Sequence, residues 1–268
     1  MAPTRPPSLD EVCTLALRLP CSPVLLPRLV AALQQDDSTA ADIGQVILLD
    51  SALAAATLRL ANSAALGGAR AVEAVEEAIV RLGSREIYRL AALALVNRWE
   101  SGQRNPLMGE PGDFSRHALC TAVAAELLAE MTERIDPQAA YTAGLICGVG
   151  KLALAHACGG FFAAIRALCS EQQMTRSEAE RRVLGYDQAE AGTRLLRAWR
   201  FPPSLVQAVE FQARPMAGPI AAQPLLAHPH AAQYMATALG PGVAEEGFYM
   251  TLHGEFLAQH GFSAQLLE

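Results

Sequence analysis

The residues best suited to chemistry lie around the stretch AGLICGVGKLALAH, residues 143–156. An apolar run leads into Cys147 and Gly148, Lys151 follows, and a second apolar run ends in His156. A thiol and an imidazole can ligate a transition metal, or can act together as a nucleophile and its base. The stretch therefore raises two questions, one about metal binding and one about covalent catalysis.

The cysteines give weak support to a metal site. The chain has six cysteines and no CxxC pair, so a zinc ribbon or a redox motif is not expected. Cys147, Cys158 and Cys169 recur every eleven residues, about three helical turns. Glycines 159 and 160 interrupt the helical face that these thiols would share. We therefore favour buried, reduced thiols over metal ligands.

Nucleophilic catalysis is also weakly supported. Cys147 and His117 could form a Cys–His pair, but nothing in the sequence supplies an orienting acid or oxyanion donors. The chain contains no GxSxG elbow, no P-loop and no GxGxxG motif after a strand.

Composition limits the class of protein. The 268 residues are 51% hydrophobic and 18% charged, with a net charge of −6, so a phosphate-neutralising basic face is not expected. We therefore predict no nucleic-acid partner. No segment reaches the ~18–20 uninterrupted apolar residues of a membrane span. We expect a soluble, cytoplasmic protein without membrane association, with a flexible proline-rich tail over residues 1–12.

The elements that must position these residues are helices. Hydrophobic residues recur with a period of 3.6, and no stretch alternates with a period of two. Helix starts are indicated by Thr39, Asp136, Thr175 and Asp187. The loop-like composition of residues 100–113 separates an N-terminal helical subdomain, 22–100, from a C-terminal one, 113–268. His228 and His230 flank Pro229 and resemble a pair of metal ligands, but no third ligand is in view, so we interpret them as residues of a loop or a helix start.

Two stretches of the first half carry a family resemblance. The first stretch is TLRLANSA, residues 57–64, which is similar to the pattern LLRLANSA. It includes Arg59, Asn62 and Ser63. Asp50 precedes it, and AIVRLG follows at residues 78–83. Ser51 stands where a proline is usual, a change that keeps a helix start. These motifs resemble the HDOD family, the HD-related output domains.

The second half extends the resemblance to most of the chain, residues 20–236. It includes FSRHALCTAVAAELLA around His117, AGLICGVGKLAL, and the long segment 184–215. The resemblance implies an all-α, irregular multi-helix HD-like fold with an N-terminal helical subdomain, forming one HDOD domain over residues 13–268. It also implies a catalytically degenerate relative of the HD phosphohydrolases.

The same resemblance assigns a vestigial cleft. His117 matches the first histidine of the HD pattern, and Cys147 and Gly148 replace the adjacent His-Asp pair. Lys151 keeps the place of a lysine suited to phosphate. The remaining metal-ligand positions hold side chains that ligate a divalent ion weakly or not at all: Gln188, Gln212, Ala213 and Gln233. We expect these elements to form a cleft with no catalytic residues, no metal and no cofactor.

Structural alternatives stand beside these site assignments. His117 is also compatible with a hydrogen-bonded core histidine, and Lys151 with an exposed lysine at a helix start. For Arg59, Asn62 and Ser63, a binding role competes with satisfaction of backbone groups at a helix end, which we favour for Asn62 and Ser63. We also predict that Leu60 is buried and that Asn62 ends its helix.

Three functions remain open at this point. The first, which we favour, is a non-catalytic bacterial signalling module that binds a protein or a nucleotide. The resemblance suggests a cyclic-dinucleotide enzyme or a sensor kinase as the signalling protein. The second is residual metal-dependent phosphohydrolase or phosphodiesterase activity. The third is a structural helical adaptor without a ligand pocket.

Overall fold

A computed structural model describes residues 5–17, 25–33, 38–63, 70–101, 110–239 and 250–263. Within these ranges there is no β-strand, and the predicted all-α class is confirmed. The helices are α1 (Leu9–Ala16), α2 (Leu25–Leu33), α3 (Ala40–Ile47), α4 (Ser51–Ala61), α5 (Val75–Leu82), α6 (Ser84–Ser101), α7 (Asp113–Thr132), α8 (Pro137–Ile146), α9 (Val149–Ala157), α10 (Phe162–Gln172), α11 (Arg176–Leu184), α12 (Gln188–Ala198), α13 (Pro203–Glu210), α14 (Gln223–Leu239) and α15 (Gly254–Gln259).

The helix starts predicted from N-cap residues are confirmed. The side chains of Thr39, Thr175 and Asp187 each accept a hydrogen bond from the backbone N–H three residues later. Asp136 accepts from two N–H groups of the first turn of α8, whose first residue is a proline. These local bonds satisfy N–H groups that have no partner within the helix, so the sequence signal has a direct physical cause.

The chain divides into two compact units. The small unit contains residues 20–98, and the large unit combines residues 1–19 with residues 99–268. The boundary at residues 100–113 was predicted from loop composition, but α6 continues through Ser101, and residues 102–109 lie outside those that the structure describes. The extent of the HDOD domain over 13–268 stays a prediction.

The predicted flexible tail over residues 1–12 is wrong in its second half. The side chain of Ser8 accepts the Glu11 N–H, and the Glu11 carboxylate accepts the Ser8 N–H at 2.6 Å. This capping box begins α1, which buries Val12 and Ala16 and packs on α9 and α12. The S-x-x-E signal was present in the sequence beside the prolines.

Helix α4 buries one face within the small unit. Its buried stripe is Leu53, Thr57 and Ala61, whereas Leu60 is only half-buried, so the predicted burial of Leu60 is wrong. The spacing i, i+4, i+8 follows one helical face, and Leu60 lies beside that face. Ala61 packs in a cluster with Val72 and other apolar side chains.

Close helix packing builds the large unit. Helices α7 and α8 pack against each other, α14 packs on both, and α9 packs on α12. A Cβ atom at Gly144 would lie 2.8 Å from the Thr121 backbone oxygen on α7. At Gly150, on α9, it would lie 1.8 Å from the Gln188 backbone oxygen on α12. Only glycine permits these two approaches, and they fix where α8 and α9 run.

No described helix is by itself long and apolar enough to cross a bilayer. The bent pair Pro137–Ala157 and Gly159–Gln172, with 89° between its parts, meets the length and composition requirements together.

Candidate functional site

A cleft of about 300 Å³ lies in the large unit. Its walls come from α7, α9, α11, α12, α14, the turn after α13 and the segment that precedes α15. Six of the eight residues assigned to the vestigial cleft line it: His117, Lys151, Gln188, Gln212, Ala213 and Gln233. Helices distant in sequence therefore bring these residues together. That the cleft descends from a catalytic site stays a prediction.

Cys147 and Gly148 do not line the cleft but lie at the junction beside it. Cys147 is the last residue of the turn that ends α8, and Gly148 precedes the first residue of α9. The Cys147 thiol is buried and donates a hydrogen bond to the Gly144 carbonyl oxygen at 3.0 Å. The thiol is thus engaged by the backbone of its own helix.

An aromatic ring stands beside Gly148. A Cβ atom at this position would lie 3.0 Å from Cε2 of Phe114, which is buried near the start of α7. The buried Glu100 carboxylate fixes this helix start, because it accepts the backbone N–H groups of Gly112, Phe114 and Ser115. A larger side chain at position 148 would therefore have to displace the Phe114 ring.

Gln212 joins the elements around the cleft. Its side-chain Nε2 donates to the backbone oxygens of Cys147 (3.0 Å) and Val209 (3.1 Å). Its Oε1 accepts from Nε2 of Gln233 at 3.4 Å, and its backbone oxygen accepts from Nδ1 of His230 at 3.2 Å. Gln212 is buried, and these bonds use both ends of its amide. Its role here is structural.

The structure distinguishes the alternatives for two other residues. Lys151 is only 4% exposed and lines the cleft, so the alternative of an exposed lysine at a helix start is wrong. His117 is buried on α7 and also lines the cleft. It is therefore both a buried residue and a residue of the cleft.

The two histidines that flank Pro229 correct a further prediction. Both lie inside α14, which begins at Gln223, and both are buried, so the predicted loop or helix start is wrong. Nδ1 of His228 donates to the Pro224 oxygen one turn earlier at 2.7 Å. Burial lowers the pKa of each imidazole to about 4. The two rings are therefore neutral at pH 7.

His230 connects α14 to the segment before α15. With its Nδ1 proton directed at a carbonyl oxygen, its Nε2 accepts a hydrogen bond from the backbone N–H of His253 at 3.3 Å. The two rings lie 5.1 Å apart. Both residues line the cleft, and His253 was not identified from the sequence because its pairing with His230 is long-range.

A group of arginines that lines the cleft was not predicted from the sequence. Arg176 and Arg181, on α11, and Arg214, after α13, line the cleft. Nε of Arg176 lies 2.8 Å from the fully buried Glu180 carboxylate, and Nη2 of Arg181 lies 2.8 Å from the fully buried Asp187 carboxylate. The capping box at Thr175 correctly located α11, but gave no sign that its arginines meet the other predicted residues.

The family-motif residues of the small unit have a different environment, and none of them lines this cleft. Asn62 ends α4 through side-chain bonds to Leu58 and Val72, as predicted. Arg59 is exposed. The Ser63 hydroxyl is buried with no hydrogen-bond partner among the described residues, so its predicted backbone bond is not observed.

Within the described ranges, no group of three or more His, Cys, Asp or Glu side chains is arranged to hold a metal ion.

Comparison with known proteins identifies the family. The model of the HDOD domain matches residues 19–215, well over half of the chain. No curated protein matches the sequence. The match includes both halves of the motif pattern, from the segment around Asn62 to the segment around Gln212.

Solved structures agree with this match. An HDOD domain protein of unknown function from Geobacter sulfurreducens is 21% identical with a TM-score of 0.73, covering 95% of this chain and 90% of that one. A provisionally assigned signal transduction protein from Marinobacter aquaeolei is 22% identical, with a TM-score of 0.72 and coverages of 96% and 60%. At these identities both show the fold alone.

A third structure is somewhat closer in sequence. It is a provisionally assigned phosphohydrolase from Shewanella amazonensis, 27% identical, with a TM-score of 0.65 and coverages of 84% and 79%. The all-helical fold, the ordered motifs and the family match over residues 19–215 lead to one conclusion. The chain belongs to the HDOD family.

Proposed function

We propose that this protein is a non-catalytic regulatory module of bacterial signal transduction. In this proposal it binds a signalling protein or a nucleotide through an HD-derived helical scaffold. Family membership and the structural neighbour assigned to signal transduction are consistent with it. The neighbour assigned as a phosphohydrolase makes hydrolysis the activity that must be tested against it.

The donor chemistry of the cleft supports the proposal. Hydrolysis of a phosphate ester on an HD scaffold requires imidazole and carboxylate ligands that converge on a divalent ion. In the cleft, Gln212 and Gln233 are neutral amides joined to each other. Beside it, the Cys147 thiol donates to a backbone oxygen. At these three positions, which the resemblance assigns to metal ligands, the side chains do not suit a divalent hydrolytic ion.

The observation that carries the proposal is the packing at Gly148. Glycine offers no ligand, and a carboxylate added at this position would meet the Phe114 ring, 3.0 Å from the first side-chain atom. The Phe114 ring is buried, so close packing around it resists the small shift that a side-chain atom at position 148 would require. Position 148 thus supplies no ligand and faces the packed Phe114 ring.

Residual metal-dependent hydrolysis is the second candidate. The observation in its favour is that three imidazoles, those of His117, His230 and His253, line the cleft. Imidazoles bind zinc and related ions when their nitrogens converge. The two candidates differ in both metal content and turnover.

Metal analysis paired with an activity assay tests the proposal. Protein purified without chelator is analysed for metals and then assayed for phosphodiesterase activity in excess Mn²⁺. We expect no stoichiometric transition metal and no turnover, in the wild type or in His117→Ala. His156→Ala is the matched control, because His156 is exposed and does not line the cleft. Stoichiometric metal, or turnover lost in His117→Ala and retained in His156→Ala, would establish the second candidate.

A further inference from the structure

Four cationic side chains line the cleft. Lys151, Arg176, Arg181 and Arg214 line it, whereas Glu178 is the acidic residue among the lining side chains. The Glu178 carboxylate is committed to the capping box of α11, where it accepts from the backbone and hydroxyl of Thr175. The cleft therefore presents more hydrogen-bond donors with positive charge than acceptors with negative charge.

Two of these cations are held in place by ion pairs with buried carboxylates. The carboxylate of Glu180, fully buried, pairs with Nε of Arg176, and that of Asp187, also fully buried, pairs with Nη2 of Arg181. Both ion pairs of Arg181 go through this one nitrogen. A guanidinium carries five N–H donors in a rigid fork, so a fixed arginine at a cleft wall is suited to a phosphate.

Other side chains of the cleft lining are neutral and polar. Gln188, Gln233, His230 and His253 contribute amides and imidazoles. Oε1 of Gln188 is buried and has no hydrogen-bond partner among the described residues. A buried carbonyl oxygen without a partner is costly, and a ligand N–H or O–H group would remove that cost.

The volume of the cleft suits a small ligand. The cleft, about 300 Å³, is at the lower end of the range for small-molecule sites. A mononucleotide has one phosphate and one base of this scale, whereas a cyclic dinucleotide has two of each.

We propose that the cleft binds a mononucleotide, with its phosphate at Lys151, Arg181 and Arg214 and its base at Gln188. The inference rests on the proposed function, because it treats the nucleotide as a bound ligand that is not hydrolysed. It narrows the class of ligand from nucleotides in general to mononucleotides. It also states which residues contact the phosphate and which contacts the base.

Titration calorimetry in the presence of EDTA tests this assignment. The probes are AMP, GMP, CMP, UMP, inorganic phosphate and cyclic di-GMP. We expect at least one mononucleotide to bind more tightly than inorganic phosphate and than cyclic di-GMP. Failure of all four mononucleotides to bind, or tighter binding of cyclic di-GMP, would overturn the inference.

Charge reversal on two arginines locates the phosphate. Arg214→Glu should weaken binding of the mononucleotide at least tenfold, because a cation at the cleft becomes an anion. Arg182→Glu is the matched control, since Arg182 is exposed on α11 but does not line the cleft, and its affinity should be unchanged. Equal affinities of the two variants would refute the placement. Circular dichroism of both variants establishes that the fold is retained.

A third variant tests the base end. Gln188→Leu should weaken the mononucleotide and leave the affinity for inorganic phosphate unchanged; equal weakening of both would refute the base assignment. Hydrolysis of the bound mononucleotide in Mn²⁺ would contradict the proposed function while leaving the binding site intact. Absence of binding together with absence of hydrolysis would contradict only this inference.

Discussion

The end of α4 in the small unit and the cleft of the large unit use amide side chains in contrasting ways. Nδ2 of Asn62 donates to the Leu58 oxygen at 3.0 Å and the Val72 oxygen at 2.8 Å, and its Oδ1 accepts the Val72 N–H at 2.7 Å. In the cleft, Oε1 of Gln188 is buried without a partner in the described part of the chain. The first amide is fully used by the backbone, whereas the second has capacity for a ligand.

The hydrogen bonds of an amide side chain distinguish a structural residue from a ligand-binding residue better than its membership in a family motif does. Asn62 belongs to the clearest family motif, yet its bonds end α4 and join that end to Val72. Gln212 was predicted as part of a cleft, yet its amide is used by Cys147, Val209 and Gln233, so it resembles Asn62 more than Gln188. A polar side chain indicates a binding site when it lines a cavity and its backbone neighbours do not satisfy it.

The largest expected effect concerns the close approach that places Lys151 at the cleft. A Cβ atom at Gly150 would lie 1.8 Å from the backbone oxygen of Gln188, so Gly150→Ala must separate α9 from α12. We expect the unfolding free energy to fall by more than about 4 kcal/mol, a loss that single substitutions seldom cause. Urea unfolding followed by circular dichroism measures it.

Gly254→Ala is the control for this measurement. Gly254 begins α15, and nothing lies within 4 Å of a Cβ atom added there. Its stability should stay close to that of the wild type. If Gly150→Ala were equally stable, the close packing of α9 on α12 would be wrong, and with it the position of Lys151.

The next effect in size concerns the buried histidines of α14. The pKa of His228 and of His230 is lowered to about 4, mainly by burial and to a smaller extent by the nearby His260 and Arg134 for His228 and His253 for His230. The unfolded chain, with its ordinary pKa near 6.5, binds more protons than the native state between pH 4 and 6.5. Stability from these rings is therefore complete above about pH 6.5 and is lost as the pH falls toward 4.

Between pH 7 and pH 5 we expect a loss of about 2 kcal/mol for each of the two histidines. Urea unfolding at several pH values measures the sum, and the pH dependence of imidazole NMR shifts assigns it. The double variant His228→Gln/His230→Gln should show a flatter pH profile than the wild type. A wild-type stability that does not change between pH 7 and pH 5 would refute neutral burial of these rings.

The sequence predicts what local bonds and periodicity determine. The helix starts at Thr39, Asp136, Thr175 and Asp187 were predictable because each N-cap acts on its own first turn. The arginines of the cleft wall were not, since Arg176 and Arg181 reach the cleft only after α11 packs in the large unit. Likewise, the Glu100 carboxylate looked like part of a polar loop, but it is buried because it accepts N–H groups more than ten residues away. Tertiary packing, which no local pattern encodes, supplies both features.

The smallest expected effect concerns Asn62 and separates the two regions directly. Asn62→Ala removes three side-chain bonds to Leu58 and Val72, so we expect a loss of about 1–2 kcal/mol in unfolding free energy. Arg59→Ala, on the exposed face of the same helix, should leave stability unchanged and serves as the control. Urea unfolding measures both variants, and calorimetry with the mononucleotide probes should give wild-type affinity for each. An Asn62→Ala variant with wild-type stability and weakened affinity would make this motif a binding site and reverse the contrast between the two regions.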